Sequence, residues 1–199
     1  MASEMQGQRN SIGHPLERSL NASARDVLDA INSGLRAQVD VKGKLAELYL
    51  FRALEALQKQ GIISELRWSD ADGEPDFFLY HKGRRLTVQC KNVRSGGQRG
   101  KGTETGSFRV ELQKTRGGID SRTGEKTRLY RPDEFDVVAA CLFNQKGVWE
   151  YVYAAAKDLA RHRKQPDRLE VMHPICQPTA PPWHDNLLEV FEIVHASTA

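Results

Sequence analysis

The sequence predicts a mixed α/β domain with a sheet of about five or six strands flanked by helices. Three observations carry the α/β expectation. Residues 43–60 place Leu45, Leu48, Tyr49, Leu50, Phe51, Leu54 and Leu57 on a broad apolar face at helical spacing, and Gly61 follows where a helix end favours glycine. Residues 77–81 and 84–91 alternate around Lys82-Gly83, the pattern of a hairpin closed by a two-residue turn. Residues 135–143 form a continuous apolar run one strand long, as a strand covered on both faces would.

The other elements follow in order. Residues 1–21 are polar and are expected to form a flexible tail. Ser23 caps a helix expected to run through residue 38, with Val27, Leu28, Ile31 and Leu35 as its stripe and Gly34 weakening its far end. Residues 62–68 read as a first strand and 69–74 as a polar turn. Residues 94–106 and 116–128 are rich in glycine and basic side chains and read as loops, with a strand at 108–113 between them. Residues 144–147 turn the central strand into another at 148–153, residues 154–163 read as a helix, and 165–183, with five prolines, as irregular chain. A short element at 186–194 closes the sequence. This gives a tail (1–21), a domain (22–163, core motif 43–91) and a Pro-rich C-terminal extension (164–199) packed on the same domain.

Composition narrows the class. The apolar runs are far too short to span a membrane, and no signal peptide is visible, so a cytoplasmic protein is expected. Three cysteines without a CxxC pair exclude a disulfide framework. Charge is uneven: residues 82–131 hold fourteen of the 29 Lys and Arg but only four of the 26 Asp and Glu. A basic middle in an otherwise acidic chain suggests a surface that faces a polyanion.

The chemistry sits on the hairpin. With Lys82-Gly83 as the turn, His81 faces Arg84, Phe78 faces Thr87, and Asp76 faces Gln89. Side chains alternate along a strand and opposed residues share a face. Phe77, Leu79, Leu86, Val88 and Cys90 then form a core face. Asp76, Gln89 and Lys91 gather at the open end of the other, with Gln89 and Lys91 about 7 Å apart along the strand. A carboxylate, an amide and an ammonium meet there within the span of one hydrated cation and one phosphate. On the preceding helix, Glu47 shares a stripe with Leu50, Leu54 and Leu57, where a carboxylate is costly unless it is paired or binds a cation. Further along, Arg109, Glu111 and Gln113 share one face of a strand, with Lys114 and Arg116 just beyond. Asp136 reads as a turn or capping residue. Trp149, Tyr151 and Tyr153 alternate as a sheet face does, and His173, Cys176 and His184 lack zinc spacing.

Pro75-Asp76, followed after twelve residues by Gln89-Cys90-Lys91, resembles the signature of the PD-(D/E)xK nuclease superfamily in its QxK variant, and Glu47 matches the acidic residue many members place on the preceding helix. The resemblance covers residues 43–91 and extends weakly to about residue 163. It implies a restriction endonuclease-like fold and hydrolysis of phosphodiester bonds with Mg²⁺, Mn²⁺ serving as a substitute. Asp76, the Cys90 carbonyl, Glu47 and Gln89 would hold the metal. Lys91 would position the attacking water and steady charge on the phosphate. Gln89 stands where the usual second carboxylate would be. It can offer an amide oxygen but no charge, which weakens metal affinity and leaves one metal or two open.

The expected function is therefore a Mg²⁺-dependent DNA endonuclease of restriction type, acting on double-stranded DNA. Arg94, Arg99, Lys101, Arg109, Gln113, Lys114 and Arg116 are the candidate DNA contacts. Analogy with enzymes that cut both strands adds a homodimer. The alternatives are a structure-selective repair or recombination nuclease, a DNA-binding protein that kept the fold without turnover, and an interaction module for an acidic protein.

Overall fold

A computed structural model describes residues 13–94, 108–120, 122–124 and 126–197. The chain divides into two compact units, Met1–Lys44 and Leu45–Ala199. The first contains α1 (Pro15–Leu20), α2 (Ala24–Ser33) and the start of α3 (Leu35–Lys59), which continues into the second. Caps define these short helices. His14 and Glu17 form a capping box at α1, and Ser23 and Asp26 form one at α2. Two expectations are corrected here. Residues 15–20, placed in the flexible tail, are helical. The helix begun at Ser23 stops at Gly34, whose extended backbone breaks it from α3, so α3 starts eight residues before the expected position 43.

The second unit is built on a five-stranded sheet in the order β1 (Ile63–Trp68), β2 (Phe77–His81), β3 (Arg84–Asn92), β7 (Val137–Cys141), β8 (Tyr151–Ala155). All neighbours are antiparallel except β3 and β7, which run parallel. Lys82 and Gly83 both have positive φ, as a tight hairpin turn of primed type requires, and the glycine meets the steric demand without cost. The pairing runs Phe77 to Val88, Phe78 to Thr87, Leu79 to Leu86 and His81 to Arg84, the register the alternation implied.

Both faces of this sheet are buried. One carries Phe77, Leu79, Leu86, Val88, Cys90, Val137, Ala139 and Cys141, and packs against Ala46, Leu50 and Leu54 of α3 and Val190, Phe191 and Val194 of α5 (Leu187–Ala196). The Tyr151 hydroxyl donates to the Ala46 carbonyl at 2.7 Å, and Tyr151 and Tyr153 share a sheet face turned toward this core; the strand expected at 148–153 begins only at Tyr151, so Trp149 packs on the core from outside it. The opposite face, with Val138, Ala140, Val152 and Ala154, packs against Val110, Leu112, Tyr130, Phe135, Leu169, Ile175 and Trp183.

That second layer departs most from expectation. The strand expected at 108–113 splits at buried Leu112 into β4 (Phe108–Glu111) and β5 (Gln113–Ile119). The stretch read as a loop at 116–128 contains the end of β5 and β6 (Lys126–Leu129), which pair with each other. Residues 154–163 do not form a helix. Ala154 and Ala155 end β8, a single 3-10 turn spans Ala156–Asp158, and β9 (Arg161–His162) pairs with β10 (Gln165–Leu169). The alanines that suggested a helix are buried against the sheet, and packing overrides their propensity. β11 (Met172–Ile175) pairs with β4, so the proline-rich stretch is partly ordered as strand. The expected turn at 144–147 is a one-turn helix, α4 (Phe143–Lys146), ended by Gly147 in the left-handed region.

Two polar devices lock the layers. Asp136 accepts from the Thr87 N–H and hydroxyl, both at 2.8 Å, and its own N–H returns to Thr87, tying the start of β7 to β3. Asp120 accepts from Arg131 at 3.0 Å and forms an ion pair with buried Arg168 at 2.6 Å. These guanidiniums and two backbone N–H groups hold the Asp120 carboxyl far below the usual carboxylate range, Arg131 contributing most.

At the hairpin turn, His81 Nδ1 lies 3.0 Å from His195 Nε2 of α5, and its Nε2 lies 3.9 Å from Glu192, which pairs with Lys82. Burial first, then His195 and Lys82, push the His81 imidazole below its ordinary value, against Glu192. A histidine depressed in the folded state is protonated more readily in the unfolded chain, so its contribution is complete above the unfolded value and shrinks as pH falls. Thermal stability therefore drops below about pH 6.5, and His81→Gln flattens that slope in a melting series against pH. Asp136→Ala is expected to cost about 2 kcal/mol in urea unfolding through loss of charge-assisted bonds, whereas Thr87→Ser, which keeps the hydroxyl, costs less.

Candidate functional site

Asp76 lies one residue before β2, level with Gln89 across the hairpin. Its Oδ2 accepts from Gln89 Nε2 at 2.5 Å and from the Cys90 N–H at 2.7 Å. Its backbone carbonyl accepts from Ser69 N–H at 2.8 Å, which anchors the polar turn after β1. Gln89 is buried, so this amide is satisfied by the carboxylate in place of water. The hairpin register thus places a carboxylate and an amide in direct contact and sets Lys91 two residues further along the same face.

Glu47 approaches from α3. Its Oε2 accepts from Trp68 Nε1 at 3.1 Å, and this indole fixes a carboxylate that is neither fully buried nor fully exposed. The Cys90 thiol, wholly buried, is pushed well up, by burial first and then by Asp76, Cys141 and Glu47, while Lys91 acts in the opposite direction. Both carboxylates and the ammonium therefore act on one point of β3, although they come from three different elements. Cys90 is a core residue held as a thiol. Only its backbone carbonyl remains a candidate donor.

Lys91 has partners the sequence did not indicate. Its Nζ lies over the Tyr130 ring, 5.5 Å from the ring centre. Lys114 Nζ is also 5.5 Å from that ring and forms an ion pair with Glu134 Oε2 at 2.8 Å. Tyr130 is 8% exposed. Burial raises its hydroxyl, with Asp76 and Glu134 adding to the effect and Lys91 opposing it. Asp76, Gln89, Lys91, Tyr130, Lys114 and Glu134 form a polar cluster beside the C-terminal end of β3, the middle strand of the sheet. Tyr130 and Glu134 are about forty residues from the motif, and the only local sign of them is an acidic stretch just ahead of the central strand.

The candidate DNA contacts are more scattered. Arg94 forms an ion pair with Glu111 at 3.3 Å, and its backbone N–H donates to the Arg109 carbonyl. Arg109 is exposed on β4. Gln113 does not share a strand face with Arg109 and Glu111 as expected, because β4 ends at Glu111 and Gln113 opens β5 opposite Leu129. Lys114 faces Glu134 within the cluster. Arg99, Lys101 and the Arg116 side chain lie outside the described residues.

The donors that a divalent cation would use here are all oxygen: the carboxylates of Asp76 and Glu47, the Gln89 amide and the Cys90 carbonyl. That chemistry fits a hard cation that keeps part of its water shell. Among the described residues, no group of three or more His, Cys, Asp or Glu side chains is placed to hold a metal by itself. His173 is buried with its Nε2 on the Glu170 carbonyl, and His184 pairs with Glu189.

No family profile and no curated protein matches the sequence. Among solved structures, a bacterial homing endonuclease is similar over 59% of this chain and 69% of its own, at 19% identity and a TM-score of 0.38. A likeness at that score assigns neither fold nor function. No helix among the described residues is long and apolar enough to cross a membrane.

Gln89→Glu tests the geometry without any activity. It sets a second carboxylate against Asp76 where an amide now donates. In chelator the melting temperature is expected to fall, by about 2–4 °C for each kcal/mol of repulsion, and Mg²⁺ or Mn²⁺ is expected to restore it, because a cation relieves two adjoining carboxylates.

Proposed function

We propose that this chain is a metal-dependent DNA endonuclease of restriction type, with its site on the β2–β3 hairpin. The observation that carries the reading is the Asp76 carboxylate gripping the Gln89 amide and the Cys90 N–H, with Lys91 on the same face and Glu47 nearby. A polar patch on a solvent-facing sheet end would not place a carboxylate against a buried amide. The basic stretch that begins beside this cluster supports a polyanionic substrate.

In this reading Asp76, Glu47, the Gln89 oxygen and the Cys90 carbonyl hold Mg²⁺ or Mn²⁺. When bound, the cation lowers the pKa of a water and offsets phosphate charge. Gln89 must then turn its oxygen, not its nitrogen, toward the ion, and the Asp76 carboxylate must exchange the amide for the cation. Lys91 places its ammonium where negative charge grows on the phosphate and orients the attacking water. The Tyr130 ring lies under that ammonium, a cation–π contact that orients the flexible lysine chain before substrate arrives. By analogy with enzymes that cut both strands by pairing subunits, this reading includes a homodimer.

A second reading keeps DNA binding without turnover. The Gln89 amide favours it, because the site carries one carboxylate fewer than a two-metal centre would use. A plasmid-cleavage assay with Mg²⁺ or Mn²⁺ separates the two. Wild-type protein is expected to give discrete fragments, and Asp76→Ala and Lys91→Ala are each expected to lose at least about 100-fold in rate, the scale of a lost charge-stabilising group. A smear would retain the nuclease without restriction-type specificity, and cutting confined to branched DNA would point to a structure-selective enzyme. Salt-sensitive DNA binding with no cleavage of linear, branched or modified DNA would replace the proposal with the second reading.

A further inference from the structure

The N-terminal helices have a strong apolar face and no core. None of residues 13–44 is buried. Seven large apolar side chains are exposed among the described residues, and five of them lie in this short segment: Leu16, Leu20, Leu28, Leu35 and Val39. They recur at helical spacing on each piece. Leu16 and Leu20 are four apart on α1, Leu28 sits beside Val27 and Ile31 on α2, and Leu35 and Val39 are four apart on α3. The polar side is already served within the helices by the Arg25–Asp29 and Arg36–Asp40 pairs.

Helices of six and ten residues are marginal alone in water and draw most of their stability from a packed apolar face. Capping boxes and the bond from the Ala24 N–H to Glu17 at 2.7 Å order the ends but bury nothing. The segment therefore needs an occupant for that face.

We propose that the occupant is the same segment of a second copy of this chain, packed across a two-fold axis. Charge favours this choice. Residues 13–44 hold five Lys and Arg and four Asp and Glu, so the face neither repels itself nor attracts a polyanion or an anionic lipid surface. The basic residues 82–131 could not form such a self-contact without repulsion. Area agrees as well. A specific interface needs about 1,000 Å² in total, or about 500 Å² from each copy. Five long apolar side chains, each about half exposed or more, supply a face of that order.

The inference needs no catalysis, so it stands or falls apart from the nuclease reading. Sedimentation of the full-length chain, without DNA or divalent cation, is measured from low micromolar to several hundred micromolar. Wild type is expected to be dimeric, Leu28→Glu/Leu35→Glu monomeric, and Val148→Glu, which alters an exposed apolar residue outside the segment, dimeric. Helical ellipticity of the wild type is expected to fall on dilution through the dissociation range, as α1 and α2 lose their cover. Because Leu28 and Leu35 are exposed, the double variant is expected to keep the main thermal transition of diluted wild type, which shows that it is folded. Wild type that stays monomeric throughout overturns the proposal, as does a double variant that dimerises like wild type or a dimer broken by Val148→Glu.

Discussion

A parallel pair of strands cannot be joined by a tight turn, and the β3–β7 pair imposes that constraint here. The chain leaving β3 must make an excursion and return at the start of β7. Residues 93–136 are that excursion, and they carry β4, β5 and β6 over one face of the sheet. Its return leg brings Tyr130 beside Lys91 and Glu134 beside Lys114, and Asp136 fastens the end of the leg to Thr87 of β3. The crossover that covers the sheet thus also completes the polar cluster. β3 itself, buried on both sides, is held in place by layers whose contacts converge on the residues flanking Cys90.

Much of this was legible where the signal was local. Alternation in the hairpin determined which side chains share a face, and Asp76 meets Gln89 because a two-residue turn leaves one register. Gly61 ended α3 at its expected place, and the apolar run before Asn144 was the central strand. The failures came where the deciding partner is distant. Ala154, Ala155 and Ala156 have helical propensity, yet Ala154 and Ala155 end strand β8, and the three are buried on both sides of the sheet, Ala155 in one core and Ala154 and Ala156 in the other. Gly117 and Gly118 hid a strand whose pairing depends on Lys126 and Thr127. Nothing near Gln89-Cys90-Lys91 indicates Tyr130, because the contact arises only from the return of the crossover.

Charge in the molecule is more committed than composition suggested. The basic middle of the sequence looked like free cationic surface, yet several of its residues have internal partners. Arg131 serves Asp120, Lys114 serves Glu134, and Arg94 serves Glu111. Residues counted as a substrate-facing patch therefore also hold the second layer together. Net charge along a segment describes its long-range field, while the geometry decides which cations remain available at the surface.

The three cysteines have an experimental consequence. Cys90 and Cys141 lie on adjacent central strands and are buried, and burial pushes both thiols upward, away from the reactive thiolate. Cys176, just past β11, is exposed. Maleimide chemistry on the folded, unaltered chain would thus attach a fluorophore or spin label at one position. That position follows the strand paired with β4, whose exposed Arg109 is a candidate DNA contact. The protein carries its own reporter beside a surface whose response to nucleic acid is of interest.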